Sequence, residues 1–438
     1  MTRSTKKPII SIVGTTGVGK SQFSIELAKK INGEIINADS MQVYKGVDII
    51  TNKHPFEERE GIPHHVMDHV GWSEEYFIHR FNNEANLAIE DIHSRGKVPI
   101  IVGGTHYYLQ TLLFNNKTMD KKKERELNDT ELELLDGPTD LLFEELKRID
   151  PVVAEKFHPQ DHRKLRRAVE IWYQTGQKPS DLYIEQKLDE LEQSSLKYNT
   201  LVFWLYSDPK VLQDRLDKRV DKMMELGAKE EIDELYESYL HNNADCTSGI
   251  FQVIGFKEFL PWLENKKQGE ADFSQGIERM KIRTRQYAKY QVKWIQKTLN
   301  LELQKERKFD YINGGRLFVL DATDLSQWNS SVCERGLAIA DQFFQQNITS
   351  PEAPHHLANL LTEKSNLKSN KSLGSEQRWK HYKCDVCKDK DGESFVAVGE
   401  DNWNLHLNSR RHKKSTSASS KRKHVEEMIR LHKKQNSL

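Results

Sequence analysis

Cysteine is scarce here, at four in 438 residues. So few thiols exclude a disulfide scaffold and point to a reducing compartment. Long apolar runs are also missing: none approaches the roughly 18 residues of a membrane span, and the first residues lack the apolar core of a secretory signal. Net charge is absent too, with 66 Lys and Arg against 66 Asp and Glu, so only the local distribution of basic residues bears on partners. The expectation is a soluble, intracellular, monomeric protein of two or three domains. The cytoplasm is the expected location, with two further destinations. Arg3, Lys6 and Lys7 have no acidic neighbour, as in a mitochondrial presequence, and Lys421-Arg422-Lys423 has the form of a nuclear signal or of a basic tail.

What is present begins with Gly14-Thr15-Thr16-Gly17-Val18-Gly19-Lys20-Ser21. It fits the G-x-x-x-x-G-K-[ST] pattern at every position and follows the apolar run Ile9 to Val13, the strand that a P-loop requires. The glycines let a strand turn sharply into a helix while backbone N–H groups face phosphate. Lys20 supplies a point charge, Ser21 a hydroxyl for Mg²⁺, and the following helix, Lys20 to Ile31, its positive end.

Four further apolar runs, Glu34 to Ala38, Val98 to Val102, Leu201 to Leu205 and Leu317 to Leu320, read as buried parallel strands. Helical periodicity between them, as in Phe77, Phe81, Ala85, Ala88 and Ile92, predicts a doubly wound α/β sheet. Ligands bind off the carboxyl ends of such strands. There the sequence puts Asp39-Ser40-Met41-Gln42 and Gly103-Gly104-Thr105. Asp39 has two candidate roles, a water-mediated contact to Mg²⁺ or general base on an acceptor. His54, His64, His65 and His69 lack ligand spacing and read as loop and surface residues.

The expected domains are a P-loop core in two parts, 8–118 and 200–346, a helical insertion at 119–199, a polar linker at 347–375 and a C-terminal module at 376–438. In the insertion, helices are predicted over Glu124 to Leu146 and Arg163 to Tyr173, and Arg163, Lys164, Arg166 and Arg167 crowd one turn as a candidate phosphate contact. Arg215 and Arg219 share one helix face and can clamp a polyphosphate. Lys281, Arg285, Lys289 and Lys293 recur every fourth residue with Tyr287, Tyr290 and Trp294 interleaved, a stripe suited to a nucleic-acid backbone.

Near the C-terminus, Cys384-x₂-Cys387-x₁₈-His406-x₅-His412 has zinc-finger ligand pairs with a long central gap. Trp403 and Leu405 are candidates for its small core, and Zn²⁺ is needed because so short a segment buries too little to fold alone. From Glu376 to Leu438, 15 Lys and Arg face 9 Asp and Glu, an excess of 15 − 9 = 6 positive charges.

The ordered set of P-loop, Asp39-Ser40-x-Gln42-Val43-Tyr44, Gly103-Gly104-Thr105, Ile254-Gly255-Phe256-Lys257-Glu258 and Arg285-Gln286-Tyr287-Ala288-Lys289 resembles the tRNA dimethylallyltransferases, also called tRNA isopentenyltransferases. It spans Pro8 to Asp321, and the finger resembles that of the eukaryotic members. The resemblance implies transfer of a dimethylallyl group from dimethylallyl diphosphate to the exocyclic amine of adenosine 37, beside the tRNA anticodon. By similarity Asp39 is the general base and Thr16 and Arg219, with Lys20, stabilise diphosphate held by residues 14–21 with Mg²⁺. Ser40, Met41, Gln42 and Asp39 itself, together with Arg163, Lys164, Leu165, Arg166 and Arg167, contact tRNA. Thr105 lies at the flipped base, Lys281, Arg285 and Lys289 add tRNA contacts, and the insertion embraces the anticodon stem-loop. One position departs from the family pattern, with Tyr290 where an Arg is usual. The sheet pattern alone also admits a small-molecule or nucleoside kinase, and the finger alone a non-catalytic nucleic-acid-binding protein.

Overall fold

The computed structural model describes residues 6–115, 125–184, 194–242, 244–265, 269–307, 309, 315–362, 380–388, 392 and 394–416. The later part of the expected linker, Arg3, and the tail with Lys421 to Lys423 lie outside the described residues. Two compact units emerge: Met1–Thr118 with Gln193–Thr362, and Met119–Glu192 with Glu363–Leu438.

In chain order the first unit starts with β1 (Pro8–Gly14), α1 (Lys20–Ile31), β2 (Gly33–Asn37), β3 (His64–His65), α2 (Ile78–Ser94), β4 (Val98–Val102) and α3 (His106–Leu113). The second unit takes α4 (Asp129–Leu135), α5 (Thr139–Ile149), α6 (Pro151–Lys156) and α7 (His162–Thr175). The first resumes with β5 (Asn199–Tyr206), α8 (Pro209–Glu225), α9 (Ala228–His241), α10 (Leu260–Glu264), α11 (Glu270–Trp294), α12 (Asn300–Glu306), β6 (Leu317–Asp321) and α13 (Arg335–Phe344). A π-helical turn, Ile295–Leu299, joins α11 to α12. The second unit closes with β7 (His381–Lys388), β8 (Ser394–Val398) and α14 (Glu400–Asn408).

The six strands of the first unit lie parallel in the order β3-β2-β4-β1-β5-β6. All five expected strands are present. β1 is central, with Ile10 opposite both Ile100 and Leu201, and helices cover both faces. Ile10 and Ile12 pack in one layer with Phe23, Leu27 and Phe203, while Ile9 and Val13 join Phe81, Ile89 and Trp204 in the other. Alternate residues therefore serve opposite faces, as a fully buried strand demands.

β3 corrects the loop reading for His64 and His65, while His54 and His69 do lie in loops. His64 and His65 pair with Ile35 and Ile36, and His65 Nε2 lies 2.7 Å from the Glu34 carboxylate. Glu34 is buried and also accepts from Arg95 and Lys97, so the edge strand is tied down by charge where apolar signal is lacking. Residues 349–362, expected as linker, belong to the first unit: Glu352 O accepts from Val319 N at 2.7 Å, and Leu357, Leu360 and Leu361 lie on the apolar layer.

In the second unit the helix expected over Glu124 to Leu146 is two helices, interrupted at Gly137-Pro138. Pro138 has no N–H to continue a helix, so α4 ends before it and α5 restarts after it. Leu135, Leu142, Leu146, Leu165 and Val169 form the core. β7 and β8 are antiparallel and contact these helices, with the His381 ring 5.8 Å from Phe143 and His158 Nε2 3.0 Å from Val396 O.

Gly103 fixes the spacing of the strand ends that carry the site. A Cβ there would lie 2.2 Å from Ala38 O, with more Ala38 backbone close behind. Gly103→Ala is expected to cost about 1–3 kcal/mol of stability by overpacking, read as a lower urea midpoint with unchanged slope.

Candidate active site

The phosphate loop runs from the end of β1 to the start of α1. Gly17 and Gly19 have φ of 79° and 88°, a left-handed region that favours glycine. Space enforces the same choice at Gly19, where a Cβ would come within 2.4 Å of the Trp328 ring. Lys20 Nζ crosses the loop to Thr15 O at 2.8 Å, and Val18 and Thr15 are buried. No side chain caps α1, so its first N–H groups are open to an anion. The Thr15 hydroxyl is buried without a partner among the described residues.

Two helices far along the chain grip this loop through Thr16. Arg219 of α8 donates to Thr16 Oγ1 at 2.8 Å, and Thr16 N donates to Gln291 Oε1 of α11 at 2.9 Å. Asp39, just past β2, accepts from Met41 N at 3.0 Å, while Asn37 Oδ1 holds Asp39 N at 3.0 Å. Burial pulls Lys20 down to about 8, against the opposing pull of Asp39 and helped by the charge of Arg219. It brings Arg219 down to about 10 and pushes Asp39 up, partly offset by the Met41 N–H and by Lys20. Two desolvated cations beside one desolvated carboxylate suit a site where an anion arrives and a proton leaves.

Thr16, Asp39 and Arg219 line a cavity of about 260 Å³. Its lining mixes polar side chains, among them Ser40, Asn52, Gln252 and Arg283, with apolar ones such as Ile50, Met223, Val253 and Met280. Ser40 N donates to Thr105 Oγ1 at 2.9 Å, joining the ends of β2 and β4. Gln42 gives its amide N–H groups to Thr51 O and Asn52 O at 3.1 and 3.0 Å. Tyr287 and Gln291 both donate to Gly104 O.

Helix α11 has two faces. Lys281 pairs with Asp221 and Glu278, and Arg285 chelates Asp217, so two members of the basic stripe brace α11 against α8; Lys289 is exposed. Met280, Arg283, Thr284 and Tyr287 face the cavity, and Gln291 continues that row to the loop. This second stripe recurs at three- and four-residue spacing and was legible in principle, but Met, Thr and Gln lack the charge signal that made the other stand out. Tyr290, at the family's Arg position, is half exposed and leans on His106, which stacks on Trp294 at 4.2 Å. Trp328 was not foreseen at all, because nothing local in sequence links it to Gly19.

The predicted phosphate contact in the second unit divides by exposure. Arg163 and Lys164 are exposed, Arg166 pairs with Asp136 and Glu170, and Arg167 with Glu170. Leu165 is a core side chain with no exposed surface, a correction to its place among RNA contacts. In the same unit Cys384, Cys387, His406 and His412 put their donor atoms within 4.8 Å of one another, a group able to hold a metal ion. Trp403 stacks on Tyr382 as a finger core residue should, whereas Leu405 is 70% exposed and Phe395, stacked on His406, takes the expected place.

Fold and site together define a P-loop α/β protein with a carboxylate poised beside its phosphate loop. Residues 42–298 match the family model for IPP transferase, and residues 7–63 that for isopentenyl transferase. The chain is 51% identical to the tRNA dimethylallyltransferase of Saccharomyces cerevisiae, over 93% of this chain and 91% of the relative. Against the Homo sapiens tRNA dimethylallyltransferase the identity is 34%, over 92% and 85%. Solved structures agree. Crystallographic snapshots of a eukaryotic dimethylallyltransferase acting on tRNA superpose with TM-score 0.82 at 50% identity, covering 97% of this chain and 100% of that one. The full-length tRNA isopentenylpyrophosphate transferase of Bacillus halodurans gives 0.53 at 31%, over 78% and 98%. The chain belongs to the IPP transferase family, that of the tRNA dimethylallyltransferases.

Two outcomes follow from the loop. Gly19→Ala should weaken inorganic diphosphate binding at least about tenfold, since either the loop or Trp328 must move; calorimetry measures it. Lys20 loses its charge as pH rises through about 8, so diphosphate affinity should fall between about pH 7 and 9, and binding near pH 8 should take up a proton because the anion favours the charged ammonium. Titrations in buffers of different ionisation heat report that proton, and pH-independent binding would take Lys20 out of the site.

Proposed function

We propose that this protein transfers a dimethylallyl group from dimethylallyl diphosphate to the exocyclic amine of adenosine 37 in tRNA, with residues 14–21 holding the diphosphate. The convergence of Thr16, Arg219 and Asp39 on one cavity, within electrostatic reach of Lys20, supports this reading most, together with family membership, which sets the kinase alternative aside.

An adenine amine is a weak nucleophile because its lone pair is delocalised into the ring. Asp39 takes the amine proton as the nitrogen attacks the allylic carbon; the C–N bond forms, the C–O bond to diphosphate breaks, and the electron pair leaves with the diphosphate. Burial makes the Asp39 carboxylate a stronger base. Lys20, Arg219, the Thr16 hydroxyl and the open N–H groups of α1 meet the charge that accumulates on the leaving group. Preorganisation is built in, since Thr16 is already fixed from α8 and α11.

The target base leaves the anticodon-loop stack to reach Asp39, passing Thr105 and Ser40. With both amide hydrogens given to backbone carbonyls, Gln42 presents an acceptor to the ring edge. The exposed Arg163 and Lys164, with Lys289, contact tRNA phosphates. Ser21 donates no hydrogen bond among the described residues, and its hydroxyl is a hard oxygen of the kind Mg²⁺ takes. Mg²⁺ bound there adds positive charge at the diphosphate. Two thiolates and two imidazoles, His412 Nδ1 being 3.5 Å from each sulfur and 3.1 Å from His406 Nε2, fit tetrahedral Zn²⁺ as a structural ion.

Asp39→Asn is expected to keep diphosphate and tRNA binding while turnover falls on the order of 10²-fold or more. Near-normal single-turnover rates would rule out the base assignment. Thr16→Ala should lower kcat and kcat/KM together, since its contact matters most as charge develops. Cys384→Ser should unfold the finger and raise the tRNA concentration needed, leaving the chemical step intact at saturation; unchanged tRNA affinity and salt slope would assign the finger to a protein partner.

A further inference from the structure

Besides Asp39 and Arg219, the cavity lining holds four buried apolar side chains, Ile50, Met223, Val253 and Met280. Met223 follows Arg219 by one turn of α8, so both lie on the same helix face, about 5–6 Å apart at Cβ. A chain whose diphosphate is held by Arg219 therefore meets Met223 after a few carbon atoms. Met280 closes the wall from α11. Its methyl packs beside Gly255, where a Cβ would come within 3.0 Å of it. The backbone of Ile50 is held, its N–H donating to Glu231 at 2.9 Å. The cavity volume, about 260 Å³, is below the ~300–1,000 Å³ of common ligand pockets, and the same cavity has to admit the edge of an adenine.

We propose that Met223 and Met280 set the length of the prenyl chain this site accepts, admitting five carbons and refusing ten. The inference rests on the transferase reading above. Unbranched thioether side chains suit the task, since they fill an irregular apolar wall. The bonds made and broken are the same for either donor, and only the space beyond the reacting carbon differs.

The test uses the full-length chain, tRNA, and either dimethylallyl or geranyl diphosphate, with mass spectrometry of the digested nucleosides. Wild type is expected to use the geranyl donor about 100-fold less well in kcat/KM, and Met223→Ala or Met280→Ala to raise the geranyl-to-dimethylallyl ratio at least about tenfold. Wild type using both donors about equally would overturn the proposal without any variant. So would variants that still transfer dimethylallyl yet show no gain in the ratio. If an alanine variant loses both activities, Met223→Val and Met280→Val carry the same comparison with a smaller void. Failure of wild type to transfer dimethylallyl would instead overturn the transferase reading, a separate result.

Discussion

Two cations, Lys20 and Arg219, are held where protein has replaced water, and one carboxylate, Asp39, shares the space with them. Each charge is disfavoured by desolvation, and each is eased by the opposite charge beside it. Such an arrangement persists only on a rigid frame. The parallel sheet brings Asp39 and Lys20 to one edge, and α8 and α11, more than two hundred residues away in sequence, close over Thr16. Much of the second half of the first unit serves to deliver one guanidinium and one amide to a loop near the N-terminus.

That distribution explains why the two halves of the site differ in how readily they can be read. Residues 14–21 and Asp39 to Gln42 are local: a turn into a helix and a strand end, each specified by contiguous residues with strong chemical constraints. The five strands were equally legible, being apolar on both faces. Gln291, Tyr287 and Trp328 act across long chain separations, and no local pattern marks a glutamine that will receive the amide of Thr16. β3 escaped for a related reason, since two histidines, His65 held by Glu34 and His64 by Ile62 O, carry no apolar periodicity. The break at Pro138 is written in the sequence, because its ring nitrogen has no N–H to continue a helix.

The second unit shows how exposure sorts a charged motif. Arg163 to Arg167 reads as one cluster, yet helical geometry turns Leu165 into the core and Arg166 and Arg167 toward Asp136 and Glu170, leaving Arg163 and Lys164 outward. The finger was legible in its ligands and less so in its core, where Phe395 on β8 replaces Leu405. Its strands also lean on the insertion helices through His381 and Val396, contacts that no spacing rule announces.

Helix α11 carries two jobs on faces set two residues apart, bracing on α8 through Lys281 and Arg285 and facing the cavity through Met280, Arg283 and Tyr287. Each residue turns an α-helix by about 100°. One residue gained or lost between Lys281 and Arg285 would therefore carry every later side chain about a quarter-turn out of place, breaking the brace and the cavity face at once. The π-helical turn at Ile295–Leu299 lies immediately beyond, and such turns arise where a helix absorbs a surplus residue. The helix thus has a fixed-length segment and a slack one, and the boundary between them falls at Trp294.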